Sequence, residues 1–346
     1  MKTNFETDIF QQPDLLRQII QSNIDQVKDI AKELCSRKPH FALIAARGTS
    51  DNAATYAKYL LSAFIRIPVG LAMPSLYTLY ECPPSMKGGV VIGISQSGQT
   101  PDIVRVLQES REQGALTLSI TNDPHSPMSK NADHSIVLNV GEEKSVPASK
   151  TYTAQLAVIS MLSAYWSSDR KLIEELGYLG DMAEEVLNQN QKINKIAGKF
   201  ADKNFLVVIG RGFNYCTTSE IALKIKELCY MVAEAYSSAD FRHGPVAILE
   251  EGFPVLAIAP KGKAFQDMVN MVAEIMPLKT DLAILSNNEA LLSQTDMPIG
   301  LPSNLPEWLS PIIATIPGQL LALHLCLLKG YDPDHPRGLK KVTLTY

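Results

Sequence analysis

Three short apolar segments recur along this chain at almost one spacing, and that repeat limits the folds open to it. FALIAARG at 41–48 lies over FLVVIGRG at 205–212 with an offset of 164 residues. The same offset lays VVIGISQSG at 90–98 over PVLAIAPKG at 254–262, and one further residue lays LSITN at 118–122 over AILSN at 283–287. Continuous apolar runs of this length suit strands buried on both faces, as in parallel sheets covered by helices. The expected fold class is therefore α/β, with two similar doubly wound subdomains, each a parallel sheet flanked by helices.

The rest of the chain divides around that repeat. Residues 1–36 read as a helical lead-in, with Leu15, Leu16, Ile19, Ile20, Ile24, Val27, Ile30 and Leu34 on a helical period and Pro13 placed to open it. The first subdomain spans 37–167, a charged helical connector 168–200, the second subdomain 201–330 and an irregular tail 331–346. Strands are expected at 41–46, 89–94 and 116–120, with another short one from His134. Helices are expected at 51–64, 101–113, Thr151 to about Trp166, and Thr217 to Val232. Asn287–Leu305 reads as loop with one short helix. The apolar helix from Leu309 to Leu328 is broken by Pro317, Gln319 and His324, so it reads as buried core and not as a membrane span.

Bulk properties exclude several functions. A chain of 346 residues with 46% hydrophobic and 20% charged residues can bury a large core. The net charge of -4 gives no basic footprint for nucleic acid. Cysteines 35, 82, 216, 229 and 326 form no CxxC pair and no metal-like spacing with the six histidines, so they read as reduced, mostly buried thiols. The N-terminal stretch lacks the apolar run of a secretory signal, and a cytoplasmic protein is the expectation.

The segment VIGISQSGQTPD at 91–102 runs from strand into a hydroxyl-rich turn and a helix start. Ser95, Ser97 and Thr100 offer hydroxyl donors, Gly98 permits close backbone approach, and the first helical amides lack intrahelical acceptors. That combination reads as an anion cradle for a phosphate group, although Ser and Thr in such a turn also serve simply to cap their own backbone. Neither a P-loop lysine nor the three spaced glycines of a dinucleotide turn is present. The second copy has Pro260 and Lys261 in place of Gln96 and Ser97, so the cradle is expected only in the first. ARGTS at 46–50 is another donor-rich strand-to-helix turn. In GEEKSVPASK at 141–150, Ser149 is a candidate helix cap, and Glu143 either faces a ligand or lies solvated in a loop.

In SEIALKIKE, Glu220, Lys224 and Glu227 share one side of a helix. Such an array can move a proton in a polar cleft, with Glu227 as the base; on an isolated helix the same spacing also suits solvated ion pairs. His243, between Phe241 and a Gly244–Pro245 turn, is suited to pass a proton to a ring oxygen. His40, His125, His134, His324 and His335 read as structural or solvated.

Six motifs in order, ARGTS, ISQSGQTPD, EKSVPASK, EIALKIKE, FRHGPVAILE and PRGLKKVT, resemble the signatures of double sugar-isomerase (SIS) domain proteins. The likeness covers nearly the whole chain, including the lead-in DIFQQP. It is strongest to the isomerase portion of glucosamine-fructose-6-phosphate aminotransferase and to amino-sugar 6-phosphate deaminases. The resemblance implies sugar-phosphate contacts at Ser50, Ser95, Gln96, Ser97 and Thr100, with Glu143 and Ser149 grouped beside them. It implies that Glu227 shifts a proton between C1 and C2, that Lys224 assists, and that His243 opens the sugar ring across a homodimer. Lys341 matches the tail lysine that forms a Schiff base with a ketose phosphate, with Lys340 as its neighbour.

The chain carries no N-terminal cysteine nucleophile or glutaminase segment, so release of ammonia from glutamine is not expected of it. The expected activity is conversion of glucosamine 6-phosphate to fructose 6-phosphate and ammonia, with no metal or redox cofactor. Alternatives within the class are another amino-sugar or fructosamine-type 6-phosphate, or simple phosphosugar isomerisation. An alternative outside it is a non-catalytic phosphosugar sensor.

Overall fold

The computed structural model describes residues 2–341, Thr343 and Thr345; Met1 of the lead-in and Val342, Leu344 and Tyr346 of the tail lie outside the described residues. The chain forms two compact units that interleave in sequence. One comprises residues 14–143, 150–177 and 340–346, and the other 1–13, 144–149 and 178–339.

The first unit holds a five-stranded parallel sheet in the order β2-β1-β3-β4-β5. Its strands are β1 (Ala42–Ala45), β2 (Val69–Leu71), β3 (Val90–Ile94), β4 (Leu116–Thr121) and β5 (His134–Val137). The chain steps outward from β1 to β2, then returns to β3 on the other side of β1. That reversal makes the crevice beyond the C-terminal ends of β1 and β3 the natural ligand position of a doubly wound sheet. Every residue of β3 and β4 is buried; β3 is apolar throughout, whereas β4 buries Thr117, Ser119 and Thr121 between its apolar residues. The helix Lys150–Ser167 has sixteen of its eighteen residues buried, including Tyr56's partner Ser160 at 2.9 Å.

The second unit repeats the topology. Its sheet runs β7-β6-β8-β9-β10, again entirely parallel, with β6 (Phe205–Gly210), β7 (Val232–Ser237), β8 (Pro254–Ile258), β9 (Asp281–Ser286) and β10 (Met297–Gly300). The two copies of the repeat thus carry the same strand order. The helix expected at 217–232 spans Tyr215–Cys229; Tyr230 turns left-handed at φ 55°, and β7 follows as an edge strand that periodicity did not reveal. β10 lies inside the stretch read as loop, and Pro298 is tolerated there because the strand is an edge.

The helix Ser310–Leu328 is the interior of this unit, buried over sixteen of its nineteen residues. With the preceding turn it is the one helix among the described residues long and apolar enough to cross a membrane, and 83% of its most apolar window is packed inside the protein. Gly318 lets the Tyr215–Cys229 helix press close, since a Cβ there would come within 2.3 Å of Ile221 Cγ1. Cys216, Cys229 and Cys326 are buried, while Cys35 and Cys82 are exposed. Burial pushes the Cys326 thiol up to about 12 and raises Cys229 as well, so neither ionises near neutrality.

Candidate functional site

In the first unit, the turn after β1 and the turn after β3 meet at the crevice between adjacent strands, where Ala45 registers against Gly93. Gly48, at φ 56°, starts the helix Thr49–Leu60, and the buried Ser50 accepts a hydrogen bond from Gln155 Nε2 at 3.0 Å. Sequence reasoning passed over Arg47, which ties the two turns together. Its guanidinium donates to Asp102 Oδ2 from Nε at 2.8 Å, with Nη2 at 2.6 Å, in the first turn of the helix Pro101–Glu112. A signal existed, because the 164-residue offset places Arg211 at the equivalent position, 3.9 Å from Asp267 in the corresponding helix. Burial raises the Asp51 carboxyl above its ordinary range, against the pull of Arg47.

The cradle loop itself is tightly built. Ser95 Oγ accepts the Gly98 amide at 3.1 Å and Ser97 Oγ accepts the Gln99 amide at 3.3 Å, which leaves each hydroxyl hydrogen to donate outward. The Gln96 carbonyl receives the Asn122 amide at 3.0 Å, and the Gly98 carbonyl receives the Met128 amide at 3.0 Å. Gly98 is required: its φ is 61°, and a Cβ would fall 2.3 Å from Ser126 Oγ. Thr100 is the N-cap residue of Pro101–Glu112 in extended conformation, and its hydroxyl makes no capping bond. An anion placed on this loop therefore meets hydroxyl donors and a helix N-terminus together.

Glu143 is buried and not a solvated loop residue. Its carboxylate accepts the Thr151 amide at 3.0 Å and the Thr151 hydroxyl at 2.8 Å, so it caps the helix Lys150–Ser167. Lys341 Nζ donates to the same carboxylate at 2.7 Å, which brings the tail into this unit. A second tail contact runs from the Asp102 amide to the Thr345 carbonyl at 3.3 Å.

The second unit carries Ser149, Glu220, Lys224, Glu227 and His243. Ser149 is buried, and its carbonyl accepts from Gln319 Nε2 at 3.2 Å. On the helix Tyr215–Cys229, Lys224 Nζ hydrogen-bonds Glu227 Oε2 and lies 3.5 Å from Glu220 Oε1. The side chains of Lys224 and Glu220 are 1% and 0% exposed, which removes the solvated-face reading; Glu227 keeps 21%. Glu227 is thus the one member of the triad that reaches outward, with a buried ammonium behind it. β7 delivers the short helix Ser238–Arg242, at whose end His243 stands exposed next to Gly244 at φ 135°.

The turn of this unit that corresponds to the cradle is filled from within. Glu307 accepts the Lys263 amide at 2.8 Å and the Ala264 amide at 2.9 Å, just ahead of the helix Phe265–Ile275. A Cβ on Gly262, the counterpart of Gly98, would fall 2.2 Å from Glu307 Cδ. Where the first copy presents donors outward, the second spends them on a carboxylate of its own chain.

The SIS domain family matches this chain twice, over residues 37–165 and 199–329. Glutamine–fructose-6-phosphate aminotransferase (isomerizing) of Pyrococcus horikoshii is 36% identical over 340 residues, covering 96% of this chain and 56% of that protein. The chain thus spans little more than half the length of this curated relative. The C-terminal domain of glucosamine-fructose-6-phosphate aminotransferase from Francisella tularensis superposes with a TM-score of 0.89 at 27% identity, covering 97% of this chain and 98% of that one. A Silicibacter pomeroyi protein provisionally classed as a phosphosugar isomerase superposes with a TM-score of 0.87 at 28% identity, covering 96% and 100%.

Proposed function

The chain belongs to the SIS domain family, and from that premise we propose that it catalyses 1,2-proton transfer on an amino-sugar 6-phosphate, converting glucosamine 6-phosphate and water to fructose 6-phosphate and ammonia. The observation that carries the reading is the Glu220–Lys224–Glu227 array, in which a sealed ammonium backs a partly exposed carboxylate. A helix surface has no reason to bury a lysine between two glutamates for stability alone, because desolvation offsets most of the attraction.

The phosphate is held by Ser50, Ser95, Gln96, Ser97 and Thr100. Binding energy from that remote group is spent on aligning the reacting carbons. His243, exposed on its own unit, opens the ring and is suited to act in a partner subunit of a homodimer. Glu227 removes the C2 proton to give an enolamine and returns it to C1, which leaves an imine at C2. Water adds to that carbon and ammonia departs. Lys224 keeps the Glu227 carboxylate oriented through the cycle, and the amine of Lys341 approaches the ketose at the carbonyl end.

A second reading, isomerisation of a phosphosugar without loss of nitrogen, is favoured by the full-length match to the Silicibacter pomeroyi protein. Parallel assay of ammonia and ketose 6-phosphate on the purified protein decides between them. Both products in equal amounts support deamination, and ketose alone supports isomerisation. If no sugar phosphate is turned over and Glu227→Gln leaves phosphosugar binding intact, the protein is a sensor and the enzymatic reading is wrong.

A further inference from the structure

Lys341 is a long, flexible side chain in an irregular tail, and an amine that acts on a substrate must be held in one place. The side chain that holds it is Glu143. The Glu143 carboxylate has no exposed side-chain surface, and both of its oxygens are engaged at the first turn of the helix Lys150–Ser167 by the amide and hydroxyl of Thr151. That helix is buried along nearly its whole length, so the carboxylate sits on a rigid support. Lys341 Nζ meets it at 2.7 Å, a charge-assisted bond, while 29% of the lysine side chain stays exposed. The amine is therefore held and still reachable. The Thr345 carbonyl on the Asp102 amide fixes the tail a second time, at the first turn of the helix that begins beside the cradle.

We propose that Glu143 is a positioning residue for Lys341: it touches the tail amine in place of the substrate, and sets where that amine stands in the unit that carries Ser95, Ser97 and Thr100. The proposal rests on the reading of Lys341 as a substrate-facing amine. A lysine side chain carries substantial rotamer entropy, which a fixed carboxylate removes before the substrate arrives. Removing Glu143 then leaves phosphate binding in place and misplaces the amine.

The test compares wild type with Glu143→Gln, Glu143→Asp and Thr151→Val, each kept at a temperature where circular dichroism shows it folded. Trace acetic anhydride labels lysine amines, and peptide mass spectrometry reads Lys341 against the neighbouring exposed Lys340 in the same molecules. The expected result is about fivefold faster labelling of Lys341 in Glu143→Gln, as expected for loss of a charge-assisted bond, with Lys340 unchanged and Glu143→Asp intermediate. Thr151→Val keeps the charge and loosens its support, so it gives a smaller rise and serves if Glu143→Gln does not fold. In steady-state assays Glu143→Gln lowers kcat about tenfold or more with little change in KM for the sugar phosphate, the mark of a misplaced group. Equal Lys341 labelling in wild type and Glu143→Gln overturns the proposal, as does a raised KM at unchanged kcat, which would return Glu143 to the substrate. Labelling requires no turnover. If Lys341 is released by the substitution and no sugar phosphate reacts with wild type, the functional reading fails while the hold on Lys341 stands.

Discussion

The ammonium of Lys224 lies 3.5 Å from the carboxylate of Glu220, and both side chains are sealed from solvent. Lys224→Met is expected to destabilise the protein by about 3–5 kcal/mol, because it strips a buried carboxylate of its counterion. Glu227→Gln, by contrast, leaves that pair intact and is expected to lower turnover about 10²- to 10⁴-fold at near wild-type stability. Denaturant unfolding beside steady-state kinetics separates the two. Equal loss of stability in both variants would mean that the triad is structural only.

Gly98→Ala tests whether the cradle needs its backbone as built. The new methyl would meet Ser126 at a left-handed position. Strain of about 1–3 kcal/mol is expected, together with weaker phosphosugar binding by calorimetry. Unchanged affinity would remove the loop from the binding site.

Glu307→Ala uncovers the amides of Lys263 and Ala264. A loss of about 1–2 kcal/mol is expected, as for other lost helix-start caps. Inorganic phosphate is expected to raise the Tm of this variant more than that of wild type, since the exposed turn accepts an anion. A phosphate-independent loss would show that Glu307 does no more than pack.

His324 supplies a pH signature. Burial holds its imidazole below the ordinary value of 6.5 despite the bond to Asn190 at 2.7 Å and the field of Glu6. The unfolded chain therefore binds the proton more readily, so the contribution is complete above pH 6.5 and is lost as pH falls through the lower folded value. His324→Gln is expected to flatten the dependence of Tm on pH below 6.5. An unchanged profile would assign the acid sensitivity to other groups.

Much of this architecture is legible in the sequence because its inner strands are short, mostly apolar runs ahead of turns. β1, β3, β4, β6, β8 and β9 all announce themselves in that way. Three of the four edges do not: β2 is three residues long with an exposed glycine at its centre, β7 runs through Glu234, and β10 carries a proline, while the edge strand β5 is expected from His134. Missing β7 also hid the means by which His243 is carried to its place. Around the site, spacing places Glu220, Lys224 and Glu227 on one helix face, but the burial of Glu220 and Lys224 is a tertiary effect that no local pattern states. The protein partners of Glu143 lie at a helix start and in a distant tail, which no local pattern around it states.

The bond from Lys341 to Glu143 spans 198 positions in the chain, whereas every strand of the unit that receives it lies between residues 42 and 137. Closing so large a loop costs entropy that nearer contacts do not incur, so this bond belongs to the end of folding and not to its nucleus. The lysine is delivered to a framework that is already standing. Substitutions at Lys341 are therefore expected to speed unfolding and leave the refolding rate unchanged, a φ-value near zero in stopped-flow measurements. A strained or misfolded framework would leave the tail lysine undocked.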